Sequence, residues 1–134
     1  SQFPREEGLR KQTELLGQTV KVLREKHPEA AIMFVATIAP NKSTFASSVD
    51  KTMTAEGRIK EVEERVSFIK NHIKFALDHN IPLINIYEKS LTASGDGNLE
   101  YINPDDDIHP SAVGVNFIGK EQTDFISNSN IFQK

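Results

Sequence analysis

Ala30-Ala31-Ile32-Met33-Phe34-Val35-Ala36-Thr37-Ile38-Ala39 runs without a charge between Pro28 and Pro40. Its apolar residues do not alternate with polar ones, so neither face is marked for water. A run of this length between prolines reads as a strand buried on both faces, the habit of parallel sheets covered by helices. The flanks agree. Upstream, Leu9, Leu16, Val20 and Leu23 recur at spacings of seven, four and three over about Arg5 to His27, which sets them on one helical face. Glu6 and Glu7 open that helix, and Arg24, Lys26 and His27 close it, each suiting the helix dipole. Downstream, Ile59, Val62, Val66, Ile69, Ile73 and Leu77 step by threes and fours from about Ala55 to His79. Glu61 stands four residues before Arg65, a spacing that favours an ion pair. Pro82-Leu83-Ile84-Asn85-Ile86-Tyr87 is a second strand. Ala31–Ile38 and Leu83–Tyr87 are therefore expected as parallel neighbours, with the Ala55–His79 helix as a right-handed crossover. A short edge strand over Gly97–Ile102 is expected next. A last helix begins near Pro110 and presents Val115, Ile118, Phe125 and Ile126.

The order is α-β-α-β-α, an α/β arrangement within one domain of 134 residues. A strand buried on both faces needs a neighbour on each edge, and only one good partner is present. The expectation is an incomplete domain. Its further strands would come from a missing N-terminal half or from a second copy pairing at the exposed edge. The first residues, Ser1-Gln2-Phe3-Pro4-Arg5, hold neither an initiator Met nor the pattern of a signal peptide. Net charge is −3, which gives no electrostatic footprint for nucleic acid or an anionic membrane. No run of apolar residues is long enough for a membrane span. Cysteine is absent, so disulfides, thiolate metal sites and cysteine nucleophiles are out.

Of four histidines, His27 and His79 fall at helix ends, where the dipole accounts for them, and His72 lies at a helix boundary face. His109 differs. It stands in Asp105-Asp106-Asp107-Ile108-His109-Pro110-Ser111-Ala112-Val113-Gly114, after the second strand and before a helix. An aspartate three residues before a histidine in a turn can fold back onto imidazole Nδ1–H. That fixes the tautomer, leaves Nε2 free to accept a proton and stabilises the imidazolium formed in turnover. The helix N-terminus behind opposes a permanent charge on the ring, which favours a base poised near neutral pH. Open α/β sheets place their sites beyond the carboxyl ends of the strands, where this turn lies. The plainer reading is a solvated acidic turn capped by Ser111 or an aspartate. Adjacent rather than spaced carboxylates argue against a metal site. The polar stretch from Pro40 to about Thr54 is long for an internal loop, a length that often signals function.

Asp106-Asp107-Ile108-His109-Pro110-Ser111, followed by Gly114, resembles the last conserved block of the GDSL/SGNH hydrolases, a family of esterases and lipases. The upstream order is similar too: His27-Pro28-Glu29-Ala30 leads into the strand ending Ala39-Pro40, and Asn80-Ile81-Pro82 into Leu83–Tyr87. The resemblance spans nearly the whole chain but covers only the C-terminal half of that family's domain. It implies the C-terminal portion of a three-layer α/β/α, flavodoxin-like fold with parallel strands. It also implies serine acyl transfer on a small-molecule carboxylic ester, without a cofactor. His109 would be general base and then acid, oriented by Asp106. The family's nucleophile block Gly-Asp-Ser, its oxyanion glycine and its Gly-x-Asn-Asp block have no counterpart; Gly95-Asp96-Gly97 lacks the serine and reads as a turn. The chain alone is therefore expected to be inactive. The alternative is a non-catalytic relative serving as a binding or interaction module. In a complete enzyme, Asp106→Asn is expected to cost several orders of magnitude in turnover, close to His109→Ala. Asp105→Asn and Asp107→Asn, taken as solvated loop charges, should cost less than about tenfold, roughly 1.4 kcal/mol. Steady-state kinetics on the four variants checks this.

Overall fold

A computed structural model describes residues 4–132 of the chain. Helix α1 spans Arg5–Lys26, and strand β1 spans Phe34–Ala36. Helix α2, Ala55–Asp78, crosses to strand β2, Leu83–Asn85. A single turn, α3, follows at Ile86–Lys89, and α4 covers Ala112–Asn128. Short 3-10 turns lie at Leu99–Tyr101 and Asn130–Phe132. The strands pair in parallel, Phe34 with Leu83, Val35 with Ile84 and Ala36 with Asn85. The expected parallel pairing across a helix thus holds, within a mixed α/β chain.

Both strands are shorter than their apolar runs. Asn85 ends β2 because its side-chain oxygen accepts the Glu88 N–H at 3.3 Å, capping α3 in place of two further strand residues. Among the described residues β1 has one neighbour, so only the residues facing β2 join a ladder. Gly97–Ile102 is not a strand. Gly97 bridges Leu91 in antiparallel fashion, and Leu99–Tyr101 winds into the 3-10 turn, with the Asn98 side chain accepting the Glu100 N–H at 3.1 Å.

Each face of the sheet meets helices. Phe34 and Leu83 pack with Val20 and Leu16 of α1 and with Phe75 and Ala76 of α2. Ile84, with Met33 and Ile38, packs on the other side against Phe117, Ile118 and Phe125 of α4. Burial of this kind stabilises by about 25 cal/mol per Å² of apolar surface. The periodicity of α2 locates its core at Val62, Val66, Ile69 and Ile73, whereas Ile59 and Leu77 at its ends face water. Arg65 lies over the Phe45 ring at 4.7 Å, and no ion pair to Glu61 forms among the described residues. In α4, Val115 is exposed, and Phe117 takes the inward place. That helix starts two residues later than its proline suggests, at Ala112, because Ser111 is the cap: its Oγ accepts the Gly114 N–H at 3.0 Å.

Helix α2 stops through Asn80, whose φ of 51° is left-handed. The Ile81 N–H then reaches back to the Ala76 carbonyl at 2.8 Å and the Asn80 N–H to that of Leu77 at 3.2 Å. This turn aims the chain into β2.

Two glycines allow backbones to touch. A Cβ on Gly97 would lie 2.2 Å from the Ala39 carbonyl oxygen, and one on Gly114 would lie 2.3 Å from that of Tyr101. Gly97→Ala should therefore destabilise by about 1–3 kcal/mol, the cost of forced overpacking. Gly119→Ala, in open space, should be neutral or stabilising because alanine favours helix. Urea denaturation of the two variants is the check.

Candidate active site

Two long connections leave the carboxyl ends of the strands, residues 37–54 after β1 and 90–111 after α3. They fold onto each other. The Ala39 N–H donates to Ser90 Oγ at 2.8 Å, and that hydroxyl donates to the Tyr87 carbonyl at 3.0 Å, so Ser90 is fully buried. The Asn41 amide donates to the Gly97 carbonyl at 2.9 Å while its oxygen accepts the N–H groups of Ser43 and Thr44. The Lys42 N–H donates to Asp96 at 3.0 Å. Phe45 and Ala46 fill the space beneath and pack on Val62 of α2. The loop that sequence marks only as long and polar thus carries its own apolar anchor.

The second connection closes a tight loop between Asn103 and His109, where the Asn103 N–H donates to the His109 carbonyl at 2.8 Å. Inside it, one oxygen of Asp106 accepts the N–H groups of Ile108 at 2.8 Å and His109 at 2.9 Å. The other oxygen lies 2.8 Å from His109 Nδ1. These contacts hold the Asp106 carboxyl down to about 2, from an ordinary 3.8; the His109 backbone N–H contributes most, then that of Ile108, then the ring. A carboxylate only accepts, so Nδ1 carries a proton, and in the neutral ring Nε2 carries the lone pair. The His109 side chain is 73% exposed against 24% for Asp106. Among the described residues nothing bonds Nε2. Asp106 and His109 are therefore brought together as the i, i+3 spacing suggests.

Asp105 is exposed on the rim. Asp107 departs from expectation. It is not a solvated charge: one carboxylate oxygen accepts Ser48 Oγ at 2.5 Å, Ser47 Oγ at 2.8 Å and the Ser48 N–H at 3.1 Å. These bonds hold its carboxyl below the ordinary range, the Ser48 hydroxyl contributing most. Its φ of 59° is left-handed, a conformation that costs a non-glycine residue about 1–2 kcal/mol and that aspartate tolerates better than most. Ser48 Oγ also reaches the Pro104 carbonyl at 3.1 Å, and the Ala46 N–H the Asp107 carbonyl at 3.4 Å.

Among the described residues no serine hydroxyl is hydrogen-bonded to His109. Ser90 is buried, Ser47 and Ser48 serve Asp107, and Ser94 Oγ pairs with Thr92 at 2.9 Å in the exposed turn before Gly97. A cavity of about 430 Å³ opens between α2 and the first connection, with Ile38, Phe45, Phe68 and Ile108 on its walls and Arg65 at its side. Among the described residues no cluster of three or more histidines and carboxylates suited to a metal ion forms. No helix among them is long and apolar enough to cross a membrane.

Comparisons with protein-family models, with curated proteins and with solved structures return no match to this chain.

The low carboxyl value sets a pH window. A group whose folded pKa lies below its unfolded one adds stability above the unfolded value and gives it up as pH falls through the folded value. The Asp106–His109 turn should hold from neutral pH to below 4 and open only as pH nears 2. Carbon-detected NMR of the Asp106 carboxyl should show a midpoint near 2; a midpoint near 4 would mean that the backbone bonds do not form.

Proposed function

We propose that the chain is the C-terminal portion of an SGNH/GDSL-type serine ester hydrolase with a three-layer α/β/α fold, supplying its Asp–His pair. The observation that carries this reading is the 2.8 Å contact of Asp106 with His109 Nδ1, which leaves Nε2 open. In an acyl transfer, Nε2 would take the proton of a serine hydroxyl as that oxygen attacks the ester carbonyl, then return it to the leaving alcohol. Asp106 would hold the ring in the tautomer this requires and face the imidazolium that forms. The backbone N–H bonds on Asp106 keep it ionised for that task. The apolar part of the cavity wall next to Ile108, formed by Ile38, Phe45, Phe68 and Ile69, suits the hydrocarbon part of a small ester.

The serine and the oxyanion donors would come from outside this sequence. The free edge of β1 is the place for the rest of the sheet. Phe34 gives its N–H to the Pro82 carbonyl at 2.8 Å, and parallel alternation then turns the N–H and C=O of Val35 to the opposite edge. Val35 is 37% exposed there, and residues 30–39 carry no charge to repel a partner strand. That edge would pair with an N-terminal half of the domain or with a second copy.

Assayed alone on a short-chain aryl ester, the 134-residue chain should show no hydrolysis above background, because a base without nucleophile or oxyanion hole cannot transfer an acyl group. Expressed with the coding sequence immediately upstream, it should hydrolyse the ester, and His109→Ala should remove at least about 10³-fold of kcat. Hydrolysis by the chain alone that His109→Ala abolishes, or a complete protein indifferent to His109→Ala, would sink the reading.

A further inference from the structure

We propose that Asp107 is a positioning residue: by clasping Ser47 and Ser48 it holds in place the turn in which Asp106 grips His109. The inference rests on reading Asp106–His109 as the working pair, and on nothing about substrate.

The geometry argues it in three steps. First, the Asp106 carboxylate binds the N–H groups of the second and third residues after it, Ile108 and His109. Asp107 is the residue that joins Asp106 to Ile108 in this turn, at φ 59°. Second, glycine is the residue that holds such a φ without strain. An aspartate in its place persists where surrounding contacts over-determine the conformation. Those contacts are the three bonds on one oxygen of Asp107, from both hydroxyls and one backbone N–H of Ser47 and Ser48, with the Ala46 N–H on the Asp107 carbonyl. Third, the serines belong to the other connection, whose base is fixed by Phe45 and Ala46 against Val62. The grip on His109 is thereby referred to α2 rather than to a free loop. Loosening the first connection should reach the imidazole through Asp107, although Ser47 and Ser48 do not touch the ring.

Imidazole ¹⁵N spectra of the 134-residue chain test this in alkaline solution, where the rings are neutral. In the parent chain His109 should be dominated by the Nδ1-protonated tautomer. Asp107→Gly keeps the turn and removes the clasp; Ser47→Ala with Ser48→Ala leaves both aspartates in place. Each should abolish the dominance of that tautomer. Asp107→Asn, which retains an acceptor oxygen and tolerates positive φ, should preserve it. His79, whose Nδ1 lies 2.8 Å from the Phe75 carbonyl at the end of α2, reports in the same spectra that the fold is intact. If the Gly variant and the double serine variant both keep the parent tautomer, the positioning role is overturned while the Asp–His pair stands. If the parent chain itself lacks the Nδ1-protonated form, as Asp106→Asn should, the pair fails and the proposal with it. If the Gly variant disturbs His79, the double serine variant decides.

Discussion

A single carboxylate oxygen of Asp107 reaches across 60 residues of sequence to the hydroxyl of Ser47, and takes the hydroxyl and N–H of Ser48 as well. The rest of the candidate site depends on that junction and on its companion, the Asn41 amide on the Gly97 carbonyl. A sheet of two strands, three residues each, is too small to hold two connections of this length by itself. Joined at both points, the connections become one cap over the carboxyl ends of the strands. Loop-closure entropy is then opposed by one shared set of bonds rather than by two separate ones.

The cap is also part of the core. Phe45 and Ala46 lie under it on α2, Ile102 packs with Ile38 and Ile84, and Tyr101 stacks on Phe117 with ring centroids 4.4 Å apart. Gly114 presses its helix against the Tyr101 carbonyl. The turn that carries His109 is thus bounded on one side by α4 and on the other by the first connection. The imidazole projects outward from a fixed base, the arrangement a proton-transferring group needs: rigid behind, open in front.

Much of this was legible in the sequence where periodicity speaks. The α1 and α2 boundaries fall within one residue of those expected, since Pro28 and Asn80 stop the helices by backbone geometry. The parallel pairing within Ala31–Ile38 and Leu83–Tyr87 follows from apolar runs without alternation. The Asp106–His109 contact follows from spacing in a turn. What stayed hidden is what depends on partners distant in sequence. The Gly97–Ile102 segment has strand-like letters, yet it bridges Leu91 and Pro110 only at its ends and winds into a 3-10 turn between them. Val115 and Phe117 both fit a helical face, and only the position of Tyr101 decides which turns inward. Asp105, Asp106 and Asp107 are identical as letters. Their separate roles arise from one left-handed step and from two serines that no local pattern connects to them.

The central claim is that the two connections form one folded unit that holds the histidine. Native-state hydrogen exchange on the 134-residue chain tests it most directly, residue by residue. The amides of Lys42 and Ser48 donate to carboxylates of the opposite connection, and those of Ile108 and His109 donate to Asp106. The expected result is that all four are protected and open with a common free energy as denaturant is raised, below that of the α2 amides. The contradicting result is protection of α2 while Ile108 and His109 exchange at the rate of a free chain, independently of Lys42 and Ser48.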